Sequence, residues 1–255
     1  MKKTIRESFF KIWYWYISTK DKDGEITFMN YGHSDGNQLL PLPKHQEKDR
    51  YSIQLYHHLA SKINLQDKNL LEVGCGRAGG LTYIKKNLLP RQVTGIDLNS
   101  KAIQFCKTFH CQENAAYLQA DAQNLLFSDH SFDIVMNVES SHRYPSPELF
   151  FSEVNRVLKP GGYFLFTDFR LTDKVEALEA QFRDAQLITE EKKDITENVL
   201  EALTLATPGR EKLIKKIAPV FLHGLARQFA ATTGTPTFNK FLNRDFLYLT
   251  YVLRK

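Results

Sequence analysis

Between Asn69 and Asp168, short apolar runs alternate with stretches of helical spacing. The runs are Asn69–Val73, Gln92–Ile96, Ala116–Gln119, Phe132–Asn137 and Tyr163–Asp168. Two strings among them, FDIVMNV and GYFLFTD, are almost continuously apolar, as expected of strands covered on both faces. Between the runs, Leu81–Leu88, Lys101–Phe109 and Glu148–Leu158 place apolar residues three and four positions apart, the helical period. Strand–helix–strand repetition predicts an α/β fold with a doubly wound parallel sheet. The KPGG tetrad, Lys159–Gly162, ends one helix and turns into the next strand.

The flanks follow other patterns. Residues 1–50 read as an N-terminal appendage or lid, in which SFFKIWYWYIS is aromatic on every side of a helix, DKDGE marks a turn and QLLPLPKHQ is a proline-interrupted loop. Asp49–Ile63 carries a helical stripe of Ile53, Tyr56, Leu59 and Ile63. After Asp168 the pattern predicts a helix over Asp173–Phe182, a short strand at Leu187–Thr189 and a helical stretch over Glu197–Phe229, broken at Pro208–Gly209 and at Pro219. That stretch interrupts the alternation, so residues 195–232 read as a helical insertion within a domain spanning 51–255. Asp245–Lys255 alternates like a final antiparallel strand.

Composition narrows the class. The chain has 255 residues, 42% apolar and 25% charged, which is ordinary for a soluble protein. No apolar run reaches the length of a spanning helix, and the N-terminus lacks the aliphatic run and cleavage site of a signal peptide. Three cysteines, Cys75, Cys106 and Cys111, read as reduced thiols, which fits a cytoplasmic location. A net charge of +5 permits an anionic partner, but there is no basic stripe or nucleic-acid motif, so no nucleic acid is expected. No compact set of metal ligands is visible, and no metal is expected.

The chemistry gathers at LLEVGCGRAGG, Leu70–Gly80. A buried strand that opens through Gly-x-Gly into a helix makes a tight turn where a ligand can approach bare backbone. Asp97 ends the second strand 21 residues after Gly76, close to the offset at which an acid meets ribose hydroxyls. A nicotinamide-binding fold remains open on the glycines alone. There, however, the turn holds a pyrophosphate, and Glu72 beside it would repel it; Glu72 suits a positively charged ligand better. Cys75 reads as a small apolar filler and Arg77 as solvated.

LEVGCGRAGG, GIDLN, ADAQNLLFSDHSFDIVMNVES and EVNRVLKPGGYFLFTD, in this order and spacing, resemble the class I S-adenosylmethionine-dependent methyltransferases. Ala78 stands where their third glycine usually falls. The resemblance implies a Rossmann-like seven-stranded, mostly parallel sheet. It also implies S-adenosylmethionine as cofactor, with S-adenosylhomocysteine as its product. Carried over residue by residue, Glu72 anchors the methionine amino group, Gly74, Cys75 and Gly76 underlie the ligand, and Asp97 takes the ribose hydroxyls with Leu98 beside it. Asp121 and Ala122 meet the adenine, and Asn137 and Val138 flank the methionine part. Over nearly the whole chain, DKDGEITFMNYGH, IQLYHHLA, NVESSHRYP and GTPTFNKFLNRDFLYLTYVL are similar to the phthiotriol/phenolphthiotriol dimycocerosates methyltransferase family, which O-methylates a secondary hydroxyl on long-chain lipids.

A hydroxyl acceptor must lose its proton, and NVESSHRYP follows the fourth strand. His142 is the candidate general base, Glu139 its orienting partner, and Tyr144 a group that places the acceptor. Trp13 is a candidate for contact with an apolar or lipid substrate. The aromatic segment Phe9–Ile17, with Lys2, Lys3, Arg6 and Lys11, reads as packed core, or else as a lid or a peripheral membrane contact. Two alternatives stay open: C-methylation of a sterol or isoprenoid alkene, in which aromatic residues would matter more than His142, and a non-catalytic cofactor-binding protein on the same fold.

Overall fold

A computed structural model describes residues 19, 21, 24–36 and 39–255. The aromatic segment Phe9–Ile17, including Trp13, lies outside the described residues. Seven strands form one sheet: β1 (Asn69–Val73), β2 (Gln92–Asp97), β3 (Ala115–Gln119), β4 (Phe132–Val138), β5 (Leu158–Leu171), β6 (Ile188–Asp194) and β7 (Phe246–Arg254). Their spatial order is β3-β2-β1-β4-β5-β7-β6, and β7 runs antiparallel to both its neighbours. The strand order reverses between β1 and β4, so a crevice opens there at the carboxyl ends of the strands, the position where open α/β sheets bind ligands.

Each face of the sheet buries its own apolar layer. Leu70, Met136, Leu165 and Tyr248 join one layer with Ile53, Leu59 and Leu81. Leu71, Val135, Phe164 and Phe166 join the other with Phe150, Phe151 and Phe182. Helix α1 (Arg50–Ala60) and helix α2 (Gly79–Asn87) cover the first face; α4 (Pro147–Val157) and α5 (Val175–Asp184) cover the second. Helix α3 (Ser100–Phe109) is capped by the Asn99 side chain, which accepts from the backbone of Lys101 and Ala102. Gly80 is where α2 meets α1: a Cβ there would lie 2.0 Å from the Tyr56 ring.

Three local expectations change. Lys159–Gly162 does not precede β5 but lies within it as an irregularity, between the pairs Phe132↔Leu158 and Ile134↔Tyr163. β6 extends to Asp194, well beyond Thr189. The long helix α6 (Thr196–Ile217) runs unbroken through Pro208 and Gly209. Both residues lie on its exposed side, where water can take the carbonyl that proline leaves unbonded. The chain does break at Pro219, enters a short turn at Val220–Leu222, then forms α7 (His223–Phe229) and α8 (Pro236–Leu242).

The described part of the first fifty residues is laid across the domain as a strap. His33 N–H donates to Tyr51 O at 2.9 Å, and Ser34 N–H to Asn198 O at 3.0 Å. Ile26 packs into a small third cluster with Ile214, Ile217, Leu222 and Phe229.

Candidate functional site

The loops after β1 and β4 face each other across the crevice. Gly74 takes φ +77°, and a Cβ there would sit 2.3 Å from Ser140 Oγ and 2.9 Å from the Tyr144 hydroxyl. Only a residue without a side chain permits that approach. Asn137, at the end of β4, closes the crevice floor: its Nδ2 donates to Val73 O at 2.8 Å and to Ser140 Oγ at 2.7 Å. Its Oδ1 is buried without a partner. Val138 is buried beside it and packs into the first apolar layer.

Glu72 is fully buried one strand over. Its Oε1 accepts from the Tyr56 hydroxyl at 2.7 Å, while Oε2 is buried with no partner. Burial pushes its pKa up to about 7; the Tyr56 hydrogen bond opposes that and Asp97 adds to it. Asp97 ties the glycine loop to the loop after β2, accepting from Gly76 N–H at 2.9 Å and from Asn99 N–H at 2.8 Å. Its pKa is raised by burial against those two bonds. Leu98 is 69% exposed at the crevice rim, Ala122 is buried, and Asp121 is exposed with Oδ1 receiving Gln123 N–H. Cys75 is buried, its thiol pushed up by the Cys106 thiol and by burial, which leaves it an unreactive filler.

Arg77 is not solvated. It is 2% exposed, pairs with Asp21 Oδ2 at 2.8 Å, donates to Asp21 O at 2.8 Å, and lies 3.6 Å over the Phe105 ring. This clip seats the strap on the glycine loop, with Met29 Cε 2.9 Å from where a Gly76 Cβ would be. Arg210 holds the strap further on, donating to Asn30 O at 3.2 Å and Tyr31 O at 3.0 Å.

The β4 loop separates the residues expected to act together. Glu139 does not orient His142. At φ +46°, its side chain turns to the first face, where Oε1 accepts from Tyr31 N–H at 2.6 Å and the Tyr248 hydroxyl at 2.5 Å. Burial raises its pKa to about 8 against those bonds. His142 instead pairs with Asp168 of β5, Nδ1 to Oδ1 at 2.7 Å, and its ring lies 4.3 Å from that of Phe169. Asp168 is fully buried and also accepts from Ser141 Oγ, the backbone of His142 and that of Phe169. Burial works against the ionised Asp168 carboxyl, but His142 and Arg170 outweigh it and hold its pKa far below the usual range. His142 is itself lowered, because burial outweighs the pull of Asp168. With Nδ1–H committed to Asp168, Nε2 is the basic lone pair, and Arg143 Nε now donates to it at 3.1 Å.

Tyr144 lies across the loop from His142. Its hydroxyl bonds Ser140 Oγ at 2.9 Å and its ring packs 4.9 Å from Phe150, so it supports the glycine-loop side rather than the His142 side. The apolar wall near His142 comes from residues that sequence reasoning passed over. Phe169 stacks on Tyr31 at 5.6 Å and packs against Phe241 at 5.6 Å and Phe246 at 5.1 Å. Among the described residues, no three His, Cys, Asp or Glu side chains converge as a metal site.

A switch-point crevice bounded by a glycine turn, a buried acid just before it and an acid ending β2 defines a nucleotide-type ligand site on a methyltransferase-like sheet. Residues 71–166 match the family model described as "Methyltransferase domain". The chain is 39% identical over 220 residues to a fatty-acid O-methyltransferase of Mycolicibacterium smegmatis, covering 86% of this chain and 80% of that one. It is 39% identical over 230 residues to a probable phthiotriol/phenolphthiotriol dimycocerosates methyltransferase 2 of Mycobacterium ulcerans, covering 89% of each. In fold it is similar to a geranyl diphosphate C-methyltransferase of Streptomyces coelicolor, solved with Mg²⁺, geranyl diphosphate and S-adenosyl-L-homocysteine. There the TM-score is 0.65 at 17% identity, over 94% of both chains. The chain therefore belongs to the phthiotriol/phenolphthiotriol dimycocerosates methyltransferase family, and is an S-adenosylmethionine-dependent methyltransferase.

Proposed function

We propose that this methyltransferase acts on a hydroxyl of a lipid or similarly apolar molecule, with His142 as general base and Asp168 as its orienting partner. The observation that carries the reading is the His142–Asp168 pair beside an aromatic wall. A carboxylate acceptor is already anionic at neutral pH and needs no base; an alcohol does. The relatives named above include a fatty-acid O-methyltransferase and a phthiotriol/phenolphthiotriol dimycocerosates methyltransferase, which supports an apolar acceptor.

The crevice fits S-adenosylmethionine. Glu72 Oε2 and Asn137 Oδ1 are buried acceptors lacking donors, a costly arrangement that an ammonium and its neighbouring groups would relieve. Glu72 would take the amino group, Asp97 the ribose hydroxyls, and Gly74 and Gly76 the close backbone contact. Leu98, Asp121 and Ala122 border the adenine end, and Cys75 keeps the loop packed. When bound, the cofactor supplies a methyl group already activated by a sulfonium. Asn137, Ser140 and Tyr144 hold the two loops in register. The strap residues Met29 and Tyr31 exclude water, and His142 Nε2 accepts the hydroxyl proton once Arg143 yields it. Asp168 stays ionised throughout and stabilises the imidazolium that forms.

One observation favours the second reading, C-methylation. Glu139 lies among Tyr31, Tyr248 and Phe169, a carboxyl and ring faces suited to a developing carbocation. The test is methyl-labelled cofactor with purified protein and three acceptors: a long-chain secondary alcohol, a fatty acid and an isoprenoid alkene. Label in the alcohol ether, lost in His142→Ala, supports the proposal; label only in the alkene or the ester sinks it.

A further inference from the structure

The short turn between α6 and α7 presents two adjacent apolar side chains to solvent. Val220 is 81% exposed and Phe221 83% exposed, whereas the next residue, Leu222, points inward. Isolated exposed apolar residues are ordinary. Two adjacent ones at a turn tip are less so, and their surroundings are basic. Arg210–Arg227 contains five cations, Arg210, Lys212, Lys215, Lys216 and Arg227, and one acid, Glu211, so this segment carries +4 of the chain's +5. The single acid is bound internally by Arg227, at 2.8 Å, and Arg210 is turned into the strap. Lys212, Lys215 and Lys216 are left on the exposed surface, Lys216 also reaching Glu25 at 2.8 Å.

We propose that the Val220–Phe221 tip docks this protein on an anionic lipid bilayer, Phe221 and Val220 entering the headgroup boundary while Lys212 and Lys215 meet the negative surface. An aromatic and an aliphatic residue on a lysine-flanked rim match that boundary, apolar at one level and anionic at the next. Soluble protein partners would be served by either feature alone; the bilayer uses both. The tip is also mechanically tied to the site. Ile26 of the strap and Leu222 of the turn pack against the same buried cluster, Ile214, Ala218 and Ala226, and the strap crosses the glycine loop at Met29. Docking would thus bring the element that packs on the strap to the source of a lipid acceptor. This rests on the reading of the acceptor as apolar, but its test needs no turnover.

The experiment is co-sedimentation of the full chain with vesicles of phosphatidylcholine alone and of phosphatidylcholine with about 30% phosphatidylglycerol, without cofactor or acceptor. Wild type should bind the anionic vesicles and release several-fold as salt rises from about 0.1 to 0.5 M. V220S/F221S should bind at least about tenfold more weakly, and K212Q/K215Q should lose the preference for anionic lipid. Both side-chain pairs are exposed, so melting temperatures should match wild type, which separates lost docking from lost folding. Unchanged vesicle binding by V220S/F221S overturns the proposal, as does absence of binding by wild type. Self-association of wild type that V220S/F221S abolishes also overturns it, because the tip then belongs to a second copy. Failure of His142→Ala to affect methylation leaves vesicle binding unmoved, so the two readings fail separately.

Discussion

His142 Nδ1 and Asp168 Oδ1 lie 2.7 Å apart, joining the loop after β4 to the carboxyl end of β5. The contact fixes the imidazole as the tautomer with a basic Nε2, and the buried, ionised Asp168 stabilises the cation formed on proton uptake. His142→Ala should keep cofactor affinity and lose transfer to an alcohol by roughly 10²–10⁴-fold. Arg143 depresses the His142 pKa, after burial and against Asp168. Arg143→Gln should therefore move the acid limb of the kcat/KM profile to higher pH, since the base stays protonated longer. Asp168→Asn should lower kcat while the cofactor still binds. Turnover of His142→Ala within threefold of wild type would remove the base from the mechanism.

The parallel strands were readable because buried strands are short and almost wholly apolar; β1 is bounded as its run NLLEV suggests, and β2, β3 and β4 differ from theirs by one residue. β6 was mostly hidden. Its sequence, ITEEKKD, lies at the sheet edge and is held by backbone bonds to β7, so no apolar run marks it. The site divides in the same way. The glycine turn and its acids stand close together in sequence or at a known offset. Asp168 lies 26 residues from His142, and the pairing is legible only through register: β4 and β5 pair Asn137↔Phe166 and Val138↔Thr167, which carries the next residues, Glu139 and Asp168, to the same edge. His142 follows within a turn. The Arg77–Asp21 pair spans 56 residues and carries no periodic signal at all.

That pair makes its own prediction. The two side chains are 1% and 3% exposed. Removing one member of a buried ion pair costs about 3–5 kcal/mol, because the other is left uncompensated. Asp21→Ala strands the Arg77 guanidinium over Phe105. Arg77→Met leaves Asp21 still receiving the backbone N–H groups of Glu25 and Ile26 at 2.9 and 2.8 Å, and refills the space. Differential scanning fluorimetry should show the larger fall in Tm for Asp21→Ala, and both variants should bind cofactor more weakly because the strap over the glycine loop loosens. Equal, negligible shifts would mean the clip contributes nothing.

Glu139 gives a pH signature in stability. Its folded pKa is raised to about 8 by burial, so the folded state holds a proton that an unfolded chain releases near 4.5. A raised pKa contributes stability that is full below the unfolded value and is lost as pH rises through the folded one. Glu139→Gln keeps the acceptor oxygen for Tyr31 and Tyr248 without titrating. Its Tm relative to wild type should climb from pH 5 to about 8 and level off above. A difference independent of pH would show that Glu139 is ionised in the fold throughout.

Glu72 ties cofactor affinity to pH by the same reasoning with the opposite consequence. Burial raises its pKa to about 7 in the cofactor-free protein, so near neutrality about half the molecules carry it protonated. A ligand ammonium brought to Oε2 favours the ionised form. Binding then expels a proton whenever the pH lies below about 7, and the affinity for S-adenosylhomocysteine should strengthen as pH rises, approaching a tenfold gain per unit on the acid side and flattening above. Tyr56 makes a useful control: its hydroxyl donates to Oε1 at 2.7 Å and steadies the ionised carboxyl, so Tyr56→Phe should shift the inflection upward. Glu72→Gln should bind more weakly at pH 8 and show almost no pH dependence. Calorimetry from pH 5.5 to 8.5 in two buffers of different ionisation enthalpy reads both the affinity and the proton released. A flat affinity curve for wild type, with no proton uptake by either buffer, would mean that the amino group is held elsewhere and that the orphaned oxygen of Glu72 serves another purpose.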